Sequence, residues 1–113
     1  MVLQYEDICL RVDKKRYCKD LKILGREVYD HWWRKEGHRV DVEDLRDILE
    51  GKPDVIVIGT GYAGLMEVSD RLRTVLADRN IELFEEVTPD AVEVFNRIQS
   101  RAKRIAGAFH LTC

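Results

Sequence analysis

Residues 55–64 read V-I-V-I-G-T-G-Y-A-G, an apolar run that passes directly into glycines spaced G-x-G-x-x-G. The four residues at 55–58 are all β-branched, which is typical of a strand buried on both faces of a sheet. The glycine spacing fits a dinucleotide-binding turn, in which the backbone approaches a pyrophosphate and the next helix points its N-terminus at the anion. The stretch therefore predicts a buried strand, a tight turn and a helix.

Helices and strands alternate through the rest of the second half. An amphipathic helix is predicted to begin at Leu65, because apolar residues recur from there at helical spacing. A strand is predicted over residues 81–85. It is followed by a helix with Thr88 as its cap and Pro89 as its first residue. Residues 105–109 form a last strand, apolar enough to lie inside the sheet. This β-α-β-α-β order predicts a three-layer α/β domain.

The first half is richer in short strands. Residues 8–12 and 16–18 flank a polar turn and predict a hairpin, which residues 21–24 would continue. A further extended segment ends in the adjacent tryptophans Trp32 and Trp33. Neighbouring residues on a strand face opposite sides, so we expect one tryptophan in the core and the other at a surface or interface.

A short helix is predicted between Asp41, its N-cap, and Gly51, which ends it. No repeat, low-complexity tract or linker interrupts the 113 residues, a length that suits one domain. The sequence therefore predicts a single α/β domain over residues 1–113.

Charge and composition bear on three questions: whether the protein binds nucleic acid, whether it contacts a membrane, and whether its source is thermophilic. The net charge is −2, which gives no general attraction to nucleic acid. No apolar run approaches the roughly 20 residues that a transmembrane helix needs, so no membrane contact is expected. Charged residues make up 35% of the chain, with only two Gln and two Asn, which indicates a thermophilic protein or a mesophile with codon bias.

The three cysteines predict the compartment. Cys9, Cys18 and Cys113 are an odd number without metal-ligand spacing, which favours reduced thiols. No cationic stretch followed by an apolar one opens the chain, so no signal peptide is predicted. Both observations indicate a cytoplasmic protein.

The glycine pattern alone does not establish a cofactor site. A dinucleotide needs two mononucleotide halves of a doubly wound sheet, and the residues after position 85 suffice for one helix and one strand. No cofactor is therefore predicted. The remaining hypothesis is a small anion held by Gly59, Thr60 and Gly61 at the N-terminus of the helix beginning at Leu65. The Thr60 hydroxyl has the alternative of bonding the loop backbone, which we favour.

The histidines are the other chemically active residues. His31, His38 and His110 would form a metal site with Cys113, or with Asp30 and Asp41, only if the fold gathered them. None of these residues has metal-ligand motif spacing, so no metal is predicted. His38 and His110 are retained as candidate ligand-binding residues.

Four segments taken together resemble a known family. They are His31-Trp32-Trp33-Arg34 with Gly37-His38, residues 55–61, Thr88-Pro89-Asp90-Ala91-Val92 with Phe95-Asn96, and Phe109-His110-Leu111-Thr112-Cys113. In this order they resemble the small Mth-type domain of unknown function, which includes the adipogenesis-associated domain protein of animals and mitochondrial complex I assembly factor three.

The resemblance implies more than the residues alone. It implies a central mixed five-stranded sheet, an added N-terminal β portion, and a last strand that is central and antiparallel to its neighbours. It implies no established activity or cofactor. Gly59 and Gly61 belong to the family pattern whereas Gly64 does not, which makes the full dinucleotide spacing accidental.

These observations predict a cytoplasmic protein that acts as a protein-interaction or assembly module without catalysis. Its protein partner is unknown, and the adjacent tryptophans suggest a homodimer as one possibility. The alternative is a small-anion or mononucleotide binder, or an unrecognised enzyme, that uses the Gly59-Thr60-Gly61 turn with His38 and His110. That alternative requires a cleft at the C-terminal end of residues 55–58.

Overall fold

The computed structural model describes residues 1–102 and 104–113. The elements of the first half are β1 (Leu3–Glu6), β2 (Cys9–Val12), β3 (Lys15–Tyr17), β4 (Leu21–Leu24), β5 (Glu27–Tyr29), β6 (Arg39–Val40), a 3₁₀ helix (Val42–Leu45) and α1 (Arg46–Glu50). Those of the second half are β7 (Val55–Thr60), β8 (Glu67–Val68), α2 (Asp70–Asp78), β9 (Glu82–Glu86), α3 (Thr88–Ile98) and β10 (Ile105–His110).

The central sheet has five strands in the order β5-β4-β10-β7-β9. Strand β10 is parallel to β7 and antiparallel to β4, so the sheet is mixed, as expected. The expectation that β10 is antiparallel to both neighbours is wrong. The reason is that α2 and α3 each carry the chain back to the edge where the preceding strand began, and such crossovers make β7, β9 and β10 parallel.

Both faces of this sheet are covered. Along β7, Val55 and Val57 pack with α3 and the N-terminal strands, whereas Ile56 and Ile58 pack with α1 and α2. All six residues of β7 and all six of β10 are buried. The predicted three-layer α/β architecture, with a strand buried on both faces, is confirmed.

The added N-terminal portion is a three-stranded antiparallel sheet, β1-β2-β3, that contains the predicted hairpin. Asn96 of α3 holds β1 in place, because its side chain accepts from the Leu3 N–H at 2.9 Å and donates to the Leu3 carbonyl at 2.7 Å. Strand β4 does not continue the hairpin. Its four residues are buried, and they pair with β10 in the central sheet.

The prediction of reduced thiols at Cys9 and Cys18 is wrong. The pairing of Leu10 with Tyr17 places these two cysteines opposite each other at the end of β2 and β3, with Cα atoms 4.3 Å apart, and they form a disulfide. Sequence spacing gave no sign of this pair, because the register of the hairpin decides it. Cys113 keeps an exposed thiol.

The prediction of a helix that begins at Leu65 is also wrong. Gly61 and Gly64 have φ values of +107° and +77°, which no helical residue adopts. The chain then forms β8, which pairs in parallel with β6, and α2 begins only after Ser69. The Ser69 hydroxyl caps α2 by accepting from the Leu72 N–H at 3.0 Å.

Other predicted helix ends differ by small amounts. Asp41 caps a helical segment as expected, although its first turn is 3₁₀, and Gly51 follows its last residue. Thr88 is the first residue of α3 and not its cap. No helix in the residues that the structure describes is long and apolar enough to cross a membrane.

Candidate functional site

The candidate site lies where the parallel strands β7 and β10 end. Thr60 and His110 are register partners at these ends. The segment that follows β10 turns back across the glycine loop after β7. The Tyr62 N–H donates to the Thr112 carbonyl at 3.4 Å, and the Leu65 N–H donates to the Cys113 carbonyl at 3.1 Å. The glycine loop after β7 and the segment after β10 therefore form one surface at this edge of the sheet.

The polar groups of the glycine turn are already paired within the protein. The Gly61 N–H donates to Thr88 Oγ1 at 2.9 Å, and that hydroxyl donates to the His110 carbonyl. The Thr60 hydroxyl donates to the Glu86 carbonyl at 3.1 Å. Thr60 thus bonds backbone, as favoured from the sequence, but its partner is the end of the neighbouring strand β9 and not its own loop.

The glycines of the turn allow close packing. A Cβ atom on Gly61 would lie 2.4 Å from the Thr112 carbonyl oxygen, and one on Gly59 would lie 2.8 Å from Thr88 Oγ1. The space that a bound anion would need beside Gly61 therefore holds the backbone of Thr112 and Cys113. With α2 beginning at Asp70, the helix N-terminus required by the anion hypothesis is also elsewhere.

His110 stands at the centre of a buried polar network. Its Nδ1 lies 2.7 Å from Asp20 Oδ2, and Arg34 Nη1 lies 2.9 Å from the same oxygen. Asp20 Oδ1 accepts from the Leu111 N–H at 2.8 Å. The His110 and Arg34 side chains are only 7% and 5% exposed. A half-buried carboxylate thus holds a buried cation and a buried imidazole together.

The hydrogen bonds assign the tautomer of His110. Arg34 Nη2 lies 3.1 Å from Nδ1 but donates to the Gly37 carbonyl at 2.8 Å, whereas the Asp20 carboxylate is the closer and charged partner of Nδ1. Nδ1 therefore carries the proton. Burial raises the pKa of Asp20, but the hydrogen bonds from His110, the Leu111 N–H and Arg34 outweigh it, so this pKa is below its usual value.

The fold brings together two of the three histidines. His38, just before β6, lies with its ring centroid 5.9 Å from that of His110. One ring nitrogen of each histidine and Cys113 Sγ all lie within 4.8 Å of one another. His31 is instead beside Asp30, with Nδ1 3.3 Å from Oδ2, and Asp41 is occupied as a cap. His110 and Cys113 are near neighbours in sequence, but His38 belongs to the other half of the chain, so sequence spacing could not show that the three meet.

An open groove lies beside this cluster. It has a volume of about 570 Å³, and Asp20, His31, Trp33, Arg34 and Thr112 are among the residues that line it. Trp32 is 7% exposed and lies near two cations, with Arg34 Cζ 4.6 Å and Lys22 Nζ 6.0 Å from its ring centroids. Trp33 is 88% exposed at the rim. The expected division into one core and one surface tryptophan is confirmed.

Solved structures with the same fold come from several organisms. A conserved hypothetical protein from Pyrococcus horikoshii matches with a TM-score of 0.83 and 21% identity, covering 100% of both chains. A protein from Xanthomonas campestris matches with a TM-score of 0.82 and 21% identity, covering 97% of this chain and 83% of its own. A protein described as an outer membrane protein from Bartonella henselae matches with a TM-score of 0.78 and 23% identity, covering 97% of this chain and 92% of its own.

At these identities the structural matches show the fold. Membership comes from a family model, described as a protein of unknown function (DUF498/DUF598), that matches residues 2–110. This agrees with the resemblance inferred from the four segments of the sequence. The chain therefore belongs to the DUF498/DUF598 family of proteins of unknown function.

Proposed function

We propose that the protein is a non-catalytic binding module that contacts another protein through the edge of the sheet where β7 and β10 end. The observation that carries this proposal is Trp33, which is 88% exposed although its sequence neighbour is buried. Holding a large aromatic side chain in water is unfavourable, and aromatic residues are enriched in the cores of protein interfaces.

Two further exposed apolar residues border the same edge. Tyr62 and Leu65 are both exposed, and their backbone N–H groups donate to the carbonyls of Thr112 and Cys113. Thr112 also lines the groove beside Trp33. The three residues therefore lie beside one segment, Thr112 and Cys113. We call Trp33, Tyr62 and Leu65 the apolar rim.

The basis for an anion or mononucleotide binder is weaker. The turn N–H groups donate to Thr88, Thr112 and Cys113, and α2 begins well beyond the turn.

The cytoplasm remains our proposed location. Because Cys9 and Cys18 form a disulfide, reduced thiols no longer support this location. A disulfide in the cytoplasm fits best with a thermophilic source, which the high content of charged residues also suggests.

Co-purification tests the proposal. Wild type, Trp33→Ala and Val2→Ala would each be expressed in the native cell, and bound proteins identified by mass spectrometry. Val2 is the matched control, since it is exposed but lies by the N-terminal strands, away from the apolar rim. We expect a stoichiometric partner with wild type and Val2→Ala, reproducible with purified components and weakened at least about tenfold by Trp33→Ala.

Sedimentation of the purified protein identifies the partner class. A dimer abolished by Trp33→Ala would make a second copy of the chain the partner. Retention of every bound protein by Trp33→Ala, or absence of any bound protein with a monomer at high concentration, would contradict the proposal.

A further inference from the structure

We propose that His38, His110 and Cys113 form a binding site for Zn²⁺, which we call the His₂Cys site. The proposal begins with their donor atoms. One ring nitrogen from each histidine and the Cys113 sulfur lie within 4.8 Å of one another. Imidazole nitrogen and thiolate sulfur are the ligands that zinc favours in proteins.

The unpartnered nitrogen of His110 points to a ligand independently. His110 is 5% exposed, and its buried Nε2 has no hydrogen-bond partner among the described residues. A buried polar atom without a partner costs about 1–3 kcal/mol, so such atoms call for a missing partner. With the proton on Nδ1, Nε2 carries a lone pair, which is what a metal ion requires.

Asp20 completes the pattern around His110. Metal-bound histidines commonly donate their second ring N–H to a carboxylate, which fixes the ring and makes the coordinating nitrogen more basic. Asp20 Oδ2 accepts from Nδ1 at 2.7 Å, and Arg34 and the Leu111 N–H hold that carboxylate in place. His110 is therefore the anchored ligand of the site.

The other two ligands can adjust to the ion. In a tetrahedral zinc site the donor atoms are about 3.3–3.7 Å apart, given bond lengths of about 2.0–2.3 Å. The side chains of His38 and Cys113 are exposed, so rotation can bring their donors closer. Cys113 would bind as a thiolate, its proton passing to the buffer. Three protein ligands at an exposed edge leave the fourth position to water, as in open zinc sites.

The test is titration of untagged protein with ZnCl₂, with the Cys9–Cys18 disulfide intact so that Cys113 supplies the reactive thiol. Calorimetry and chelator competition would give stoichiometry and affinity. We expect one Zn²⁺ per chain with a Kd of about 1 μM or tighter. Co²⁺ should give the visible absorption of a tetrahedral site with a thiolate-to-metal charge-transfer band.

Variants of exposed ligands avoid the risk of unfolding the buried network. His38→Ala and Cys113→Ser should each weaken Zn²⁺ binding at least about tenfold, and Cys113→Ser should abolish the charge-transfer band. His31→Ala is the matched control, since His31 is also exposed but lies outside the cluster. Trp33→Ala should bind zinc as wild type does, because the His₂Cys site does not depend on the proposed protein partner.

Three results would overturn the site. One is a wild-type Kd weaker than about 100 μM. Another is an unchanged affinity in either His38→Ala or Cys113→Ser, which would leave too few ligands. The third is an equal loss in His31→Ala, which would indicate zinc bound generally to surface histidines.

Discussion

Thr88 shows what one side chain contributes to the edge of the sheet. Its hydroxyl accepts from the Gly61 N–H after β7 and donates to the carbonyl of His110 in β10. The residue is fully buried at the first position of α3. One hydroxyl therefore connects three elements, including the backbone of a ligand of the His₂Cys site.

Replacing Thr88 by Val should test this connection. Valine has nearly the same shape but offers no hydroxyl, so the buried Gly61 N–H loses its acceptor. We expect the free energy of unfolding to fall by about 1–3 kcal/mol, measured by urea denaturation. Thr74→Val on the exposed face of α2 is the matched control and should change it by less than about 0.5 kcal/mol. Equal effects in the two variants would contradict the role given to Thr88.

At the scale of elements, Asp41 links two helix beginnings. Its Oδ1 accepts from the Val42 N–H at 2.7 Å, capping the 3₁₀ helix, and from the Ser69 hydroxyl at 2.9 Å. Ser69 in turn caps α2. The Asp44 side chain accepts from the Asp41 N–H, which completes a capping box. The hydrogen bond from Val42, followed by that from Ser69, lowers the pKa of Asp41.

This lowered pKa gives a prediction about pH. A carboxyl group whose folded-state pKa is below its unfolded value, about 3.9, stabilises the fold above that pH. The contribution is lost as the pH falls through the folded-state pKa. We therefore expect Asp41→Ala to lower the free energy of unfolding by about 1 kcal/mol at pH 7.

The deficit of Asp41→Ala should shrink as the pH falls below 4, when wild type also loses the carboxylate. Urea denaturation at several pH values would measure it. Asp78→Ala, at the exposed end of α2, is the control and should show no such convergence with wild type. A deficit that stayed constant down to pH 2 would show that the charge of Asp41 contributes nothing.

At the scale of the whole molecule, the disulfide fastens the added N-terminal sheet. That sheet packs on α3 through Leu3, Leu10 and Val12, and its hairpin ends at Cys9 and Cys18. Closing this short loop restricts the unfolded chain. We expect reduction to lower the free energy of unfolding by about 2–3 kcal/mol, measured by urea denaturation with and without reductant.

Alkylation followed by mass spectrometry provides the direct check on the disulfide. Denatured, unreduced protein should react at Cys113 alone, and reduced protein at three cysteines. A Cys9→Ser/Cys18→Ser double variant is the control, and its stability should match that of the reduced protein and be insensitive to reductant. Reaction at three cysteines before reduction would show that the disulfide is absent.

The sequence by itself determined the three-layer α/β fold and the main elements of the second half. Burial of side chains within a single element leaves a regular pattern of apolar residues in the sequence. The β-branched run of β7 and the apolar stripes of α2 and α3 are such patterns. The split between Trp32 and Trp33 was foreseen from strand alternation, although both residues lie beyond the end of β5 and outside any strand.

Only the tertiary structure decided what the ends of these elements do. The direction of β10 depends on the order of the strands in the sheet, and the Cys9–Cys18 disulfide depends on the register of the hairpin. The delayed start of α2 depends on the positive φ angles of Gly61 and Gly64. The His₂Cys site and its Asp20 support combine residues from the two halves of the chain. Local patterns record burial along one segment, whereas sites made of side chains from several segments exist only once the sheet has brought those segments together.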